Sequence, residues 1–275
     1  MKRLVLFAIL SFFAVGTSRA QQVPNAPIGT TQDKSEAQAA NTPRMTPREI
    51  AQMRADILMA RKDYGEAAKA YQDLLKDDPK NAVLLNKTGL AYQLIGDPDQ
   101  AERFYKKAMR ADKTSWSAIN NLGTVEYARE RYGKAIKYFK KAIAGGDSLA
   151  AVYSNLAYAY CGIKDYPRAM EAFSKALAID PQVFERRGSG GVVVQQRSAP
   201  DPAALHFYLA KSYAKAGEAE GAARYLKMCR DEGYKDFLSA QNDPDFARVI
   251  KDPRVQEVLR VRPPYAPEPA KPVQN

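Results

Sequence analysis

The chain has 275 residues and a formal net charge of +11, from 42 lysines and arginines against 31 aspartates and glutamates. One histidine and two cysteines, without metal-ligand spacing, argue against a Cys/His metal site. After residue 20 no stretch is apolar enough to span a membrane, and the basic balance favours acidic partners or anionic surfaces.

Residues 1–20 have the features of a secretory signal peptide. Lys2 and Arg3 form its charged start, Leu4–Val15 its apolar run, and Ser18-Arg19-Ala20 a small-x-small cleavage site. The apolar run is short for a bilayer span, which favours cleavage over the alternative of a retained anchor. No lipoprotein-type cysteine follows the cleavage site. We therefore expect an exported protein, either periplasmic or secreted.

Residues 21–44 are rich in Gln, Asn, Ala, Pro, Thr and Ser and contain almost no large apolar side chain. Such a composition cannot bury a core, so it predicts a disordered leader. A helix should begin directly behind it. Thr46 is suited to the N-cap and Pro47 to the first turn, while Glu49 can reach back to complete a capping box.

Residues 45–183 contain an internal repeat with a period of 34 residues. Its four contiguous units are Arg48–Asn81, Ala82–Ser115, Trp116–Leu149 and Ala150–Val183. Each unit contains two stretches with helical apolar spacing, separated by turn residues. Small residues recur at the eighth and twentieth places, where two helices can cross closely, and an aromatic recurs at the twenty-fourth. The eighth-place residues are Ala55, Gly89, Gly123 and Ala157, and the twenty-fourth-place residues are Tyr71, Tyr105, Phe139 and Phe173.

This pattern resembles the tetratricopeptide repeat (TPR) family, and the chain is similar to its exported bacterial members. The resemblance is carried by Asn121-Leu122-Gly123 with Ala135 and Phe139, and by Asn155-Leu156-Ala157 with Ala169 and Asp180-Pro181. It implies an all-α, right-handed superhelical solenoid of helix-turn-helix repeats, with about five units and C-terminal capping helices. It also implies a non-enzymatic scaffold that binds a protein or peptide partner.

Residues 184–202 interrupt the repeat. This insert contains Arg186-Arg187-Gly188-Ser189-Gly190-Gly191 followed by a valine run, which is consistent with a loop or a small hairpin. It lacks the Gly-Lys-Ser/Thr ending of a nucleotide loop. Residues 203–262 then hold a fifth unit and a cap, with short helices expected at Asp243-Pro244 and Asp252-Pro253. The proline-rich residues 263–275 predict a disordered tail.

The family resemblance places the binding groove on the first helix of each unit. Carried onto this chain, it assigns peptide-binding roles to polar, apolar and aromatic residues that we expect to be exposed there. These groove residues are Asn86, Leu90, Gln93, Asn120, Tyr127, Ser154, Tyr158, Phe207 and Lys211. Amides can hydrogen-bond a peptide backbone, and aromatics give rigid contact area.

The sequence contains no catalytic set, and no cofactor or metal site is predicted. His206 falls at a core-facing place of unit five, and Cys161 and Cys229 lie in different units, so we expect a packed imidazole and two free thiols. Two other functions stay open. One is binding of polyanions or an envelope surface through lysines that recur on the second helices, such as Lys106-Lys107 and Lys140-Lys141. The other is an activity located in the insert.

Overall fold

The computed structural model describes residues 45–147, 149–185 and 201–261, and every element in this part of the chain is helical. The predicted signal peptide, leader and C-terminal tail lie outside the described residues, as does the insert from residue 186 to residue 200. The helices are α1 (Pro47–Ala60), α2 (Tyr64–Asp77), α3 (Ala82–Ile95), α4 (Pro98–Ala111), α5 (Trp116–Ala128), α6 (Tyr132–Ala144), α7 (Ala150–Gly162), α8 (Tyr166–Ile179), α9 (Pro202–Ala216), α10 (Ala219–Asp231) and α11 (Pro253–Arg260). None of them is long and apolar enough to cross a membrane.

Helices α1 to α10 form five helical hairpins, and each hairpin contacts the next one along the chain. The predicted start of the first hairpin is confirmed, because Thr46 and Glu49 form a reciprocal capping box. Side-chain oxygens of Asn81, Asp97 and Asp165 cap the starts of α3, α4 and α8 by accepting a backbone N–H bond. These caps satisfy amide groups that the helices themselves leave without partners.

The turn between the two helices of every hairpin contains one residue in the left-handed backbone region. Gly96 and Gly217 occupy this place in units two and five, with φ of 93° and 87°. Lys62, Glu130 and Lys164 occupy it in units one, three and four, with φ of 68°, 59° and 59°. All five lie at the fifteenth place of their units. The turn geometry is therefore a property of the repeat, and it is kept even where the residue has a side chain.

Close helix crossing explains the small residues of the repeat, as predicted. A Cβ added to Gly123 would lie 2.5 Å from Phe139 Cε1, and one added to Gly89 would lie 2.6 Å from Tyr105 Cε1. The aromatic rings at the twenty-fourth place are at most 1% exposed. Burying each such ring stabilises the fold by about 1.5–3 kcal/mol. A single buried cluster then continues from Ile119 to Leu259, so units three to five and the C-terminal cap share one core.

The C-terminal cap closes the fifth hairpin. Asp252 caps α11, so the helix start predicted at Asp252-Pro253 is confirmed, and Val255 and Leu259 of this helix are buried. The element at Asp243-Pro244 is a single 3-10 turn, Pro244–Phe246, with a buried Phe246. Arg230 Nη1 donates to the Val258 carbonyl over 3.2 Å, which ties the cap to α10.

Candidate functional site

The nine predicted groove residues lie on the first helices α3, α5, α7 and α9, but the structure divides them by exposure. Asn86, Leu90, Gln93 and Lys211 are partly exposed. The others are buried, namely Asn120, Tyr127, Ser154, Tyr158 and Phe207. The expectation of exposed side chains is wrong for these five residues, because Ser154 is fully buried, Asn120 is 4% exposed and the three aromatic rings are at most 3% exposed. Their part in binding a partner stays a prediction.

Two of these rings, Tyr158 and Phe207, are buried because segments that follow later helices pack on them. The chain just after α8 places the Phe184 ring 6.2 Å from the Tyr158 ring, between centroids. The segment after α10 likewise stacks Tyr234 on Phe207 at 4.7 Å. The repeat register gives the direction of a first-helix side chain, whereas these covering residues follow the second helix. The rings therefore act in the described structure as packing groups between hairpins.

Asparagine side chains connect consecutive first helices. Asn121 Nδ2 donates to Asn86 Oδ1 over 3.0 Å, and Asn155 Nδ2 donates to Asn120 Oδ1 over 3.2 Å. In both bonds the sixth place of one unit donates to the fifth place of the unit before it. Asn120 Nδ2 also lies 3.3 Å from Asn121 Oδ1, which joins the two bonds into one asparagine ladder. A buried amide needs such partners, so the ladder sets the spacing of α3, α5 and α7.

Gln93 takes part in a second connection between units. Its Oε1 accepts the Tyr105 hydroxyl at 2.8 Å, and its Nε2 donates to Thr124 Oγ1 at 3.0 Å. Burial raises the pKa of Tyr105 far above its ordinary value, so this phenol stays protonated as a donor. Each amide nitrogen carries two hydrogens, and this contact uses one of them. Gln93 therefore keeps one donor for an incoming acceptor.

Lys211 serves the C-terminal cap more directly than the groove. Its Nζ lies 2.7 Å from Asp243 Oδ2 and 3.0 Å from Asp245 Oδ2, both beside the 3-10 turn. Burial alone would lower the pKa of Lys211, but hydrogen bonds to the two carboxylates hold that pKa above its ordinary value. The ammonium is therefore already neutralised within the described structure.

The accessible surface on α3 combines Asn86, Leu90 and Gln93 of the predicted groove with two neighbours, Val83 on α3 and Ser117 at the start of α5. Val83 is 60% exposed, Leu90 and Gln93 are partly exposed, and Ser117 is exposed. Asn86 lies among them, with its Nδ2 at 3.4 Å from Ser117 Oγ. We refer to Val83, Asn86, Leu90, Gln93 and Ser117 as the α3 patch. It combines apolar area with amide groups that retain hydrogen-bonding capacity.

The sequence did not identify an ion pair close to this patch. Lys87 Nζ lies 2.7 and 2.8 Å from the two carboxylate oxygens of Asp56, and the Tyr71 hydroxyl donates to Asp56 Oδ1 over 2.6 Å. This network joins units one and two, where the asparagine ladder does not reach. The sequence could have indicated this ion pair only through the positions of its members in the repeat, because Asp56 takes the ninth place of unit one and Lys87 the sixth place of unit two.

The two cysteines and the histidine are buried within the described residues. Cys161 and Cys229 are free and buried, and burial raises the pKa of both thiols to about 12. His206 is buried, as predicted, with Nδ1 2.5 Å from Glu232 Oε2. Among the described residues no group of three or more His, Cys, Asp or Glu side chains could hold a metal ion.

Comparison with known proteins agrees with the hairpin architecture. A family model of the tetratricopeptide repeat matches residues 49–114 and 117–182. The solved structure of PilW, described as a widely conserved type IV pilus biogenesis factor, is 20% identical; the match covers 78% of this chain and all of PilW, with a TM-score of 0.50. PilF of Pseudomonas aeruginosa is 19% identical over 77% of this chain and 86% of its own, also at 0.50. A structure of MamA is 26% identical over 66% of this chain and 95% of its own, at 0.45.

None of the curated proteins matches the chain. The two structures at a TM-score of 0.50 share its fold. Proteins with this fold are scaffolds for protein interactions. The tetratricopeptide assignment agrees with the 34-residue period, the small residues at the helix crossings, the five hairpins and the family match over residues 49–114 and 117–182. The repeat region, residues 49–114 and 117–182, thus belongs to the tetratricopeptide repeat family.

Proposed function

We propose that this protein is an exported, non-enzymatic scaffold that binds a peptide segment of a partner protein on the α3 patch. The observation that carries the proposal is the exposed side chain of Val83, 60% accessible on a first helix beside partly exposed amides. Apolar contact with a partner would remove Val83 and Leu90 from water, which supplies the driving force for association. An extended peptide segment also has the backbone groups that amide side chains recognise.

The amides of the patch are suited to this role because the hairpin contacts leave part of their capacity unused. Asn86 Oδ1 accepts from Asn121 at 3.0 Å, whereas its Nδ2 contact with Ser117 is long, at 3.4 Å. Gln93 is held in place by Tyr105 and Thr124. Side chains held in this way lose little conformational freedom on binding, so a peptide carbonyl meets a preorganised donor.

Export is the second part of the proposal, and it is supported by Lys2, Arg3, the apolar run and the site at Ser18-Arg19-Ala20. Expression of the full chain in a Gram-negative host, followed by fractionation and N-terminal sequencing, tests it. We expect the protein in the periplasm or medium with Gln21 as its first residue. An intact Met1 on a membrane-bound protein would instead show that the segment is an anchor.

Binding is tested with the full chain and the double variant Val83→Glu, Leu90→Gln. Val83 lies in the first turn of α3, where a carboxylate is compatible with the helix dipole, so the fold should be kept. The matched control is Ile179→Gln with Leu238→Glu, which makes the same change in charge at two side chains of 49% and 48% exposure outside the patch. A partner captured from envelope extract is purified and titrated against all three proteins.

We expect the patch variant to bind the partner at least about tenfold more weakly and the control to bind like the native chain. Circular dichroism and thermal melting must agree among the three proteins. Equal binding by the patch variant and the native chain would remove the site from α3. A loss common to the patch variant and the control would show non-specific apolar adsorption.

A further inference from the structure

A basic cleft lies on the second-helix side of units two and three, away from the α3 patch. It has a volume of about 370 Å³ and opens between α4 and α6. Its lining residues are Glu102, Lys106, Glu126, Arg131, Lys134, Lys137, Tyr138 and Lys141. Five of these carry a positive charge and two a negative charge, so the cleft has an excess of positive charge.

Most of this excess comes from one face of α6. Lys134, Lys137 and Lys141 are three and four residues apart, which places them along the same side of the helix. All three are exposed, and α6 contains no acidic residue. They form no ion pair within residues 45–147, 149–185 and 201–261. Their mutual repulsion is therefore uncompensated in the described structure, and an anion bound between them would relieve it.

The two carboxylates of the cleft lie beside basic groups other than these three lysines. Glu102 pairs with Lys106 and lies 2.5 Å from Arg129 Nη1. Hydrogen bonds from Lys106 and Arg129 hold the pKa of Glu102 below its ordinary value. Glu126 is buried, with carboxylate oxygens 3.8 Å from Arg129 and 3.6 Å from Arg131. Each acid therefore has a basic partner other than the three lysines of α6, and Glu126 Oε2 accepts no hydrogen bond from its described neighbours.

We propose that the basic cleft is a second docking site, and that it binds an acidic peptide segment through spaced carboxylate side chains. From Lys134 to Lys141 the helix rises about 10 Å. In an extended peptide, side chains on one face recur about every 7 Å, so two carboxylates fit over this row of lysines. The partly buried ring of Tyr138 gives the peptide an apolar wall between the charges.

The lining favours an acidic peptide over a single-stranded nucleic acid. Nucleic-acid grooves combine continuous positive charge with several aromatic rings on which successive bases stack. This cleft offers one ring, Tyr138, and its positive charge is interrupted by Glu102 and Glu126. Carboxylates separated by uncharged residues can avoid these two acids, whereas evenly spaced phosphates cannot.

The test is fluorescence anisotropy on the full chain with a short labelled peptide that alternates glutamate and alanine. A glutamine–alanine peptide and a single-stranded oligothymidine of equal charge are the comparison probes. The cleft variant is Lys134→Glu, Lys137→Glu, Lys141→Glu. Its control is Lys69→Glu, Lys113→Glu, Lys251→Glu, three exposed lysines outside the cleft with the same total change in charge.

We expect the acidic peptide to bind the native chain and the control triple, and to bind the cleft triple at least about tenfold more weakly. Raising the ionic strength should weaken this binding, because the lysines are exposed. No binding of the acidic peptide to the native chain overturns the proposal. An equal loss of binding in the cleft triple and the control triple also overturns it, because it would show that the overall charge of the protein determines binding. Oligothymidine binding more tightly than the peptide, and lost in the cleft triple, would replace the peptide by a nucleic acid.

Discussion

Asn155 Nδ2 donates a hydrogen bond to Asn120 Oδ1 over 3.2 Å, and this bond joins α7 to α5 between two fully or nearly buried side chains. Asn121 and Asn86 repeat the arrangement one unit earlier, at 3.0 Å. Amides that a family resemblance assigns to ligand binding are thus also what holds the first helices in register. Asn120, Asn121 and Asn155 of the ladder are buried on the first helices, whereas the α3 patch stays accessible.

The ladder should make a measurable contribution to stability. In Asn155→Ala, Asn120 Oδ1 loses a buried donor, and we expect a cost of about 1–3 kcal/mol in the free energy of unfolding. A cycle with Asn120→Ala and the double variant, followed by urea unfolding, measures the coupling. Asn242→Ala, at an exposed asparagine after α10, is the control. Additive costs in the cycle would mean that the bond does not contribute.

Gly123 should not tolerate a methyl group. In Gly123→Ala the new Cβ would lie 2.5 Å from Phe139 Cε1, so the ring must move, and we expect destabilisation of about 1–3 kcal/mol. Gly133→Ala is the matched control, because nothing lies within 4 Å of its added Cβ in α6. There we expect stabilisation of about 0.4–1 kcal/mol. The melting temperatures of both variants test this prediction. A similar shift of the melting temperature in both would show that the helix crossing does not require glycine.

The left-handed turn at the fifteenth place predicts that glycine there makes the folded chain more stable. Lys62, Glu130 and Lys164 hold positive φ values that cost a residue with a Cβ about 1–2 kcal/mol. Glu130→Gly and Lys164→Gly should therefore raise the melting temperature, although added freedom in the unfolded chain reduces the gain. Gly96→Ala should lower it. Differential scanning calorimetry measures all three; a loss on Glu130→Gly would mean that its side-chain contacts outweigh the strain.

The two thiols should react slowly with thiol reagents while the chain is folded. Burial raises the pKa of Cys161 and Cys229 to about 12, so the reactive thiolate is scarce at mildly alkaline pH. We expect labelling by a thiol reagent to be at least about a hundredfold slower in the native chain than in urea.

The same shift has a consequence for stability. The pKa of each thiol is higher in the folded chain than in the unfolded chain. This difference stabilises the folded state fully below the ordinary thiol pKa of 9.0, and the contribution is lost as the pH rises toward 12.

In the labelling experiment, mass spectrometry of the labelled peptides separates the two cysteines. Fast labelling of Cys161 in the native chain would contradict its burial beside the first-helix face.

The sequence by itself determined the hairpins. The small residues at helix crossings, the aromatic beside them and the Thr46–Glu49 capping box are local or periodic features, and each has one mechanical meaning. The fifth hairpin and α11 could be placed in the same way, because Asp252-Pro253 marks a helix start. Signal cleavage and the insert stay predictions, since they fall outside the described residues.

Only the tertiary structure decided which first-helix residues are accessible. A place in the repeat fixes the angle at which Tyr158, Phe207 or Lys211 leaves its helix. It does not fix what comes to lie against that side chain. Phe184 covers Tyr158 from a turn beyond the next helix, and Asp243 neutralises Lys211 from the cap. Val83 stays open because no described segment returns to it. Periodicity encodes contacts between neighbouring helices, whereas contacts made by the non-repeating segments depend on how the whole chain packs.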